Sequence, residues 1–115
     1  MKPKEKGNRG EDLACTFLAD RGYRIKERNF WARTGEIDIV AYDGETLVFV
    51  EVRYRQAGSM VSACESVDPR KVRRMLSAAK WYLSVRGVAD NVAVRFDLVV
   101  AGEGEVPCDV IQDII

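Results

Sequence analysis

The sequence GEIDIVAYDGETLVFVEVRYR, residues 35–55, decides the fold because apolar and non-apolar residues alternate through it on both sides of a turn signal. Alternation with a period of two is typical of β-strands, and an Asp-Gly pair between two such runs is a strong signal for a hairpin. The same stretch carries Glu36, Asp38, Glu51 and Arg53. Strands rich in Ile and Val on both faces are normally covered on both sides, so charges placed there need partners.

A two-residue turn at Asp43 and Gly44 fixes a register for the two strands of this hairpin. The predicted pairs are Val40–Leu47, Asp38–Phe49 and Glu36–Glu51. The face that bears these pairs is apolar near the turn and acidic toward the open end. The opposite face is wholly apolar and predicts a core surface made of Ile37, Ile39, Ala41, Val48, Val50 and Val52.

Asp38 and Glu51 are diagonal neighbours in this register, with Cβ atoms about 7 Å apart or less. Carboxylates this close repel each other unless a cation lies among them, and Mg²⁺, which prefers oxygen ligands in octahedral geometry, is the natural candidate. Glu11 lies at the margin of the apolar stripe of the first predicted helix and adds a third acid. Arg53 shares the face of Glu51.

Each of these residues also has a structural interpretation, and the sequence leaves both open. Glu11 follows Asn8 by three residues, which is the spacing of a helix capping box. Arg53 can simply neutralise a neighbouring acid at a sheet edge. Asp38 can be a solvated residue of a half-exposed strand.

Helical periodicity predicts a first helix over residues 8–21, with an apolar stripe and Gly22 as its stop. The stripe consists of Leu13, Ala14, Phe17 and Leu18. A first strand is predicted over residues 23–31, before the hairpin. A further strand is predicted over residues 92–101 and a weaker one over 108–115, so the order is helix, three strands, helix, and one or two strands.

A second helix is predicted from an Asp68 N-cap and Pro69 at its first position to about residue 84, after a loop over residues 56–67. One face is apolar and comprises Val72, Met75, Leu76, Ala79, Tyr82 and Leu83. The other face carries Arg70, Arg73 and Arg74. A charge run of this kind binds phosphates or simply forms a solvated face.

Composition narrows the classes of protein to consider. The 115 residues are 47% hydrophobic and 31% charged, which fits a single globular domain, residues 1–115, and no apolar run reaches the length of a membrane helix. The polar N-terminal segment lacks the apolar middle of a secretory signal, so we expect a cytoplasmic protein without a membrane partner. The formal net charge of zero leaves nucleic-acid binding to a local basic patch.

Histidine is absent from the sequence, which excludes Ser-His-Asp and Cys-His catalysis and imidazole zinc sites. The three cysteines, Cys15, Cys64 and Cys108, are widely spaced and odd in number, so we expect buried reduced thiols. Any chemistry must therefore rest on carboxylates, lysine and arginine.

Three segments together resemble a known family: GNRGEDLACTFLADRGYRIKERNF at 7–30, the hairpin at 35–55, and DPRKVRRMLSAAKWYL at 68–83. They resemble the YraN-like small bacterial proteins, which are grouped with the restriction-endonuclease-like PD-(D/E)xK nucleases and are similar to archaeal Holliday-junction resolvases. The resemblance covers residues from about 7 to about 100. It implies an α/β, restriction-endonuclease-like core with a mixed central sheet flanked by helices.

The resemblance also implies a set of site residues. Asp38 and Glu51, helped by the carbonyl of Val52, would hold Mg²⁺ or Mn²⁺, with Glu11 as an outer acid. Arg53 stands at the last motif position, where the family usually has lysine. Arginine stays protonated and does not act as a base, although its donors can steady charge on a phosphate, so catalysis stays open at this point.

The predicted function is a metal-dependent endonuclease acting on branched or single-stranded DNA. Phosphate contacts are expected from Arg55, Arg70, Lys71 and Arg74. Tyr54 and Trp81 are candidates for base stacking, with core packing favoured for Trp81. A branched substrate would suit a homodimer, for which the sequence specifies no interface.

Two alternatives to the nuclease remain. One is a nuclease-fold module that binds nucleic acid without cleaving it, which the arginine at position 53 motivates. The other is a protein-interaction adaptor, which the zero net charge and the loop at 56–67 motivate.

Overall fold

Two helices and five strands form the regular structure of the residues that the computed structural model describes, 9–54, 68–102 and 107–115. In chain order they are α1 (Arg9–Asp20), β1 (Arg24–Ala32), β2 (Gly35–Asp43), β3 (Thr46–Tyr54), α2 (Pro69–Val85), β4 (Val94–Ala101) and β5 (Asp109–Ile111). The predicted order of elements is confirmed. The predicted loop at 56–67, together with Arg55 and Cys64, lies outside the described residues.

The strands form one mixed sheet in the order β1-β2-β3-β4-β5. Only β3 and β4 pair in parallel among the described strands, and the other pairs are antiparallel. One helix packs on each face, so the protein has a mixed α/β architecture. Neither described helix is long and apolar enough to cross a membrane.

The face beneath α2 holds an aromatic core. Tyr82 of α2 is fully buried and packs edge-on against Phe30 and Phe49, with ring centroids 4.9 and 5.5 Å apart. The opposite face lies beneath α1, where Ala14 and Leu18 are fully buried. Both faces of the central strands are therefore covered, which explains why they are apolar on both sides.

The ends of both helices follow from sequence signals. Gly22 adopts a φ of 94° after α1, and the N–H groups of Gly22 and Tyr23 donate to the carbonyls of Ala19 and Leu18, which is a Schellman motif. The side chain of Asp68 accepts a hydrogen bond of 2.8 Å from the N–H of Lys71, and Pro69 follows it. The predicted N-cap of α2 is confirmed.

Three predictions about buried side chains are wrong. Trp81, for which core packing was favoured, is 55% exposed, and Leu76 is 36% exposed. Ala78 takes the inner position of α2 instead, since the burial stripe runs through Met75, Ala78, Ala79 and Tyr82. The thiols of Cys15 and Cys108 are free, as expected, but only partly buried.

The hairpin register differs from the predicted one by two residues. The observed pairs next to the turn are Asp43–Thr46 and Tyr42–Leu47, so the turn residues are Gly44 and Glu45. Gly44 adopts a φ of 61°, which suits glycine at the first position of a primed turn. A two-residue shift leaves the alternation of faces intact, but it moves Glu51 from opposite Glu36 to the position directly after the last observed pair, Ile39–Val50.

Strands β1 and β2 both switch which side of the sheet their alternate residues face, and the alternation pattern of the sequence does not predict this switch. Ile39 packs under α1, whereas Ile37, predicted on the same face, packs under α2. Likewise Arg28 reaches α1, whereas Phe30 packs against Tyr82 of α2. Residues two apart in a regular strand share a face, so both strands must switch between these positions. The switch falls at Asn29, which has a φ of 54°, and at Asp38, the residue opposite it.

A buried ion pair between Arg95 and Asp97 lies within β4, and Arg95 also contacts Asp43 at the turn end of β2. Asp97 is fully buried and accepts hydrogen bonds from Arg95 Nε at 2.9 Å and from the Tyr23 hydroxyl at 2.8 Å. The N–H of Asp113 also donates to Asp97, at 3.0 Å, which ties the C-terminal segment to β4. Asp97 pairs with Val50 in the β3–β4 ladder, and neither Arg95 nor Asp97 lines the pocket described below.

We expect Asp97→Ala to lower the free energy of unfolding by about 3–5 kcal/mol, because it leaves the guanidinium of Arg95 partly buried without its main partner. The control is Asp43→Ala, which removes a half-exposed partner of Arg95 and is expected to cost about 1 kcal/mol or less. Urea denaturation followed by circular dichroism measures both. Equal losses for the two variants would contradict this account of the network.

Candidate functional site

Three acidic side chains meet at the open end of the hairpin. Glu11 comes from the first turn of α1, Asp38 from the point where β2 changes face, and Glu51 from β3. Their exposed fractions are only 6%, 8% and 6%. The interpretation of Asp38 as a solvated strand residue is therefore wrong. The capping interpretation of Glu11 depends on Asn8, which lies outside the described residues.

Asp38 takes over a hydrogen bond that a regular sheet would make between backbones. Continuing the hairpin register would pair Val52 with Ile37, but the ladder ends at Ile39–Val50. The N–H of Val52 donates instead to Asp38 Oδ2, at 2.9 Å. This bond fixes the carboxyl group of Asp38 in the gap between β2 and β3, beside the carboxyl group of Glu51.

Burial raises the pKa of Asp38 to about 7, and the negative charge of Glu51 adds to the effect. The bond from Val52 works in the opposite direction because it stabilises the charged form. A hydrogen bond from the protonated Asp38 to Glu51 raises the pKa further. The carboxyl group of Asp38 therefore lies within hydrogen-bond reach of the carboxylate of Glu51.

Two cations contact Glu51. Lys71 Nζ of α2 forms a salt bridge with Glu51 Oε2, and Arg53 Nη2 lies 3.4 Å from the same oxygen. The side chain of Lys71 is 24% exposed. Lys71, predicted only as a phosphate contact, is thus part of the acidic centre. Its role was missed because no pattern within α2 indicates which strand residue its side chain reaches.

Glu11 is held less completely than the other two acids. Arg28 Nη2 lies 3.7 Å from Glu11 Oε1, and the shorter contact of Arg28, at 2.8 Å, is to Asp12. Burial raises the pKa of Glu11, against opposing contributions from Asn29 and Arg28. Within the described part of the chain, Oε1 is buried without a hydrogen-bond partner. A buried oxygen of this kind has unused capacity to accept a donor or to bind through water.

These residues line a pocket of about 550 Å³, which we call the acidic pocket. Of the predicted site residues, it contains Glu11, Asp38, Glu51, Val52, Arg53, Lys71 and Arg74. Arg70 is exposed on α2 and does not line it, and Arg55 lies outside the described residues. The pocket also includes Tyr54, the candidate for base stacking, and residues that the prediction did not assign to the site: Arg9, Gly10, Gly35, Glu36 and Met75.

Two glycines of the pocket wall allow close approach of neighbouring elements. A Cβ at Gly35 would lie 3.1 Å from the backbone oxygen of Arg74, so glycine lets α2 lie close to the start of β2. A Cβ at Gly10 would lie 3.3 Å from the Cβ of Tyr54. Gly10 belongs to the quoted segment 7–30 and Gly35 begins the quoted segment 35–55. At both positions the close approach of a neighbouring element explains why the residue is glycine.

The acids do not form a closed ligand set on their own. Among the described residues, no group of three or more cysteine, aspartate or glutamate side chains is arranged to hold a metal ion. The arrangement instead provides a pair of hydrogen-bonded carboxyl groups, a nearby third carboxylate and two cations. It can bind a hard cation through two acids, or exchange a proton within the pair.

Replacing Asp38 with asparagine is expected to stabilise the protein increasingly as the pH rises. The folded-state pKa of about 7 lies above the unfolded value near 4, so wild-type stability falls as the pH rises between these values and levels off above 7. In EDTA, the stability difference between Asp38→Asn and wild type should grow by about 2–4 kcal/mol from pH 4 to pH 8, at about 1.4 kcal/mol per pKa unit. Urea unfolding at several pH values measures this difference.

The matched control is Asp68→Asn, because the pKa of Asp68 is lowered by the backbone N–H of Lys71. Its carboxylate stabilises the fold above the unfolded pKa, so this variant should lose stability relative to wild type as the pH rises. A stability difference for Asp38→Asn that stays constant with pH would contradict the described burial of the carboxyl pair.

A protein-family model matches a region of the chain that contains every acidic-pocket residue from Gly10 to Met75. The model of Uncharacterised protein family UPF0102 matches residues 10–101. A UPF0102 protein of Nitrosococcus oceani is 46% identical over 102 residues, covering 86% of this chain and 82% of the relative.

Two further UPF0102 proteins are similar to the chain. The protein of Anaeromyxobacter dehalogenans is 48% identical over 102 residues, covering 86% of this chain and 75% of the relative. That of Moorella thermoacetica is 48% identical over 99 residues, covering 86% and 82%. With a family model that spans most of its length and relatives at this level of identity, the chain belongs to the UPF0102 family.

Proposed function

We propose that this protein is a metal-dependent nuclease that hydrolyses phosphodiester bonds in branched or single-stranded DNA, and that its α/β fold is a restriction-endonuclease-like core. One observation carries the proposal: Asp38 and Glu51 are buried side by side in a pocket that also contains Lys71 and Arg53. The resemblance of the helix, hairpin and α2 segments to the YraN-like and PD-(D/E)xK proteins supplies the reaction and the substrate class.

The donor atoms fit a small divalent cation. Mg²⁺ takes only oxygen ligands and is usually bound through one or two carboxylates with several waters, so the absence of a third acid within reach in the described residues is no obstacle. The mutual repulsion of Asp38 and Glu51, which raises the pKa of Asp38, is relieved when a cation lies beside both. Asp38, Glu51 and the Val52 carbonyl would hold Mg²⁺ or Mn²⁺, with Glu11 reaching it through water.

A bound divalent ion supplies Lewis-acid chemistry: it polarises the phosphate and lowers the pKa of water. The chain itself supplies orientation and charge. Asp38 is kept in place by the N–H of Val52, and the guanidinium of Arg53 donates to a phosphate as negative charge develops on it. Arg74, at the pocket edge, binds the neighbouring phosphate of the strand.

Lys71 compensates for the arginine at the last motif position. An ammonium group exchanges a proton with water, whereas a guanidinium stays protonated. The Nζ of Lys71 already contacts Glu51 Oε2 from α2, and Arg53 contacts the same oxygen from β3. We therefore assign the attacking water to Lys71: once its ammonium group has lost a proton to solvent, the neutral amine orients the water and takes a proton from it, which restores the ammonium. Phosphate stabilisation is assigned to Arg53.

A second candidate function is supported by the same salt bridges. Lys71 and Arg53 both neutralise Glu51, so the acidic pocket is partly charge-balanced without a metal ion. A module that binds DNA without cleaving it would keep this arrangement. It would bind DNA with strong salt dependence and show no cleavage with any divalent metal, and Arg53→Lys would then be the change that creates activity.

Metal binding is expected to stabilise the wild-type protein against heat. At a metal concentration one hundred times the Kd, the stabilisation is about 2.7 kcal/mol, and it should disappear in Asp38→Asn and Glu51→Gln. Thermal unfolding in EDTA, Mg²⁺ and Mn²⁺ measures the shift. If the metal raised the unfolding temperature of wild type and of both variants by the same amount, this carboxyl pair would be ruled out as the metal site.

Cleavage should depend on Lys71 more than on Arg53. We expect Lys71→Ala to lower the rate of DNA cleavage by about 100-fold or more, the usual contribution of a proton-transfer group, while Arg53→Lys keeps activity. Arg24→Ala, at an exposed residue near the hairpin turn, is the charge-matched control and should cleave like wild type. Asp38→Asn, purified identically, excludes a contaminating nuclease if its cleavage is lost.

A further inference from the structure

A second surface lies next to the acidic pocket, on the outer side of α2 and the turn between β1 and β2. We call it the tryptophan surface; its pocket of about 540 Å³ is lined by Trp31, Ala32, Arg33, Thr34, Ser77, Lys80 and Trp81. Trp31 is 37% exposed and Trp81 is 55% exposed. Large aromatic side chains are normally buried, so two exposed indoles beside one pocket indicate a binding surface.

The charge of the tryptophan surface has one sign. Arg33 and Lys80 are its only charged lining residues, and within the described chain neither forms a salt bridge with a carboxylate. Among the nearby acids, Glu27 forms a two-pronged contact with Arg86, at 3.0 and 2.8 Å, and Glu36, opposite Trp31 in the β1–β2 ladder, lines the acidic pocket. A surface of exposed aromatic rings and unneutralised cations matches the flat bases and the phosphates of an unpaired nucleic-acid strand.

The two sites are continuous along one helix. Lys71 and Arg74 line the acidic pocket, and Ser77 and Trp81, which follow at spacings of three and four residues, line the tryptophan surface. From Lys71 to Trp81 is ten residues, or about 15 Å along the helix axis. The turn between β1 and β2 also connects the two sites, because Thr34 lines the tryptophan surface and the next residue, Gly35, lines the acidic pocket.

We propose that the tryptophan surface binds unpaired DNA bases next to the bond that is cut, so that the substrate of the acidic pocket is a strand with a single-stranded segment. Trp81 and Trp31 stack on the bases, and Arg33 and Lys80 contact the phosphates. Double-stranded DNA cannot present a free base face to the indoles, so the surface selects single-stranded tails and branch points over intact duplex. This inference rests on the proposed nuclease function for the position of the cut.

Intrinsic fluorescence tests the proposal directly, because Trp31 and Trp81 are the two tryptophans of the whole chain. In EDTA, which prevents cleavage, titration with a twelve-residue oligothymidylate should quench the fluorescence in a saturable way. A blunt duplex of the same length should bind at least tenfold more weakly.

Substitutions test whether oligothymidylate binds at the tryptophan surface. Trp81→Ala and Trp31→Ala are each expected to weaken oligothymidylate binding by about 5- to 150-fold, as measured by fluorescence anisotropy of a labelled strand, with partial recovery in Trp81→Phe. Arg33→Ala and Lys80→Ala should each reduce the slope of log affinity against log salt by about 0.7. Leu76→Ala, at a half-exposed residue of the same helix outside both pockets, is the matched control and should bind like wild type.

Several results would overturn the proposal. They are saturable DNA binding without fluorescence quenching, unchanged affinity in both alanine variants, or tighter binding of oligouridylate than of oligothymidylate. Protein self-association in sedimentation experiments that Trp81→Ala abolishes would assign the surface to a second copy of the chain. Cleavage of DNA without quenching would refute this inference alone, whereas quenching without cleavage in Mg²⁺ or Mn²⁺ would refute the nuclease proposal alone.

Discussion

The hydrogen bond from the N–H of Val52 to Asp38 Oδ2 is the constraint on which the candidate site depends. In a regular hairpin this N–H would pair with the backbone of β2. Here β2 changes face at Asp38, opposite Asn29 with its φ of 54°, and the ladder between β2 and β3 ends. A side chain therefore replaces a backbone partner, and the space that opens between the strands becomes the acidic pocket. Without the hydrogen bond to Asp38, the N–H of Val52 would have no acceptor on β2, and the carboxyl group of Asp38 would not be held in place.

Burying Asp38 and Glu51 at this gap costs folding free energy, because charged groups lose their hydration. A cost of this kind is typical of a functional site. Desolvation and the charge of Glu51 raise the pKa of Asp38 to about 7, while Lys71 and Arg53 compensate the charge of Glu51. The network around Asp97 in β4 shows the contrast. There Asp97, equally buried, is fully satisfied by Arg95, Tyr23 and a backbone N–H, which is the pattern of a structural ion pair. At the candidate site, by contrast, Glu11 Oε1 is buried without a hydrogen-bond partner among the described residues, and an unsatisfied buried group of this kind calls for an explanation.

Local sequence patterns were sufficient to predict the helices, the strands and the caps. Gly22 and Asp68 mark helix ends through chemistry that involves only a few neighbouring residues. The hairpin register was wrong by two residues because both Asp43-Gly44 and Gly44-Glu45 can form a two-residue turn, and no local signal chooses between them. The alternation rule assumes a regular strand, so it also failed to predict that Ile37 would pack under α2. Charge patterning grouped Glu11, Asp38 and Glu51, and all three line the acidic pocket, although among the described residues they do not form a metal-holding group of three. The contact of Lys71 with Glu51 depends on how α2 docks, which sequence spacing does not encode.

The central claim is that Asp38 and Glu51 form one buried carboxyl pair that takes up a divalent cation. Its most direct test is a pH titration of the ¹³C carboxyl resonance of Asp38 by NMR, first in EDTA and then in saturating Mg²⁺. The account predicts a pKa near 7 without metal and a clear fall when Mg²⁺ is present. A midpoint near the ordinary value of about 4 in EDTA, or one near 7 that Mg²⁺ leaves unchanged, would contradict the claim.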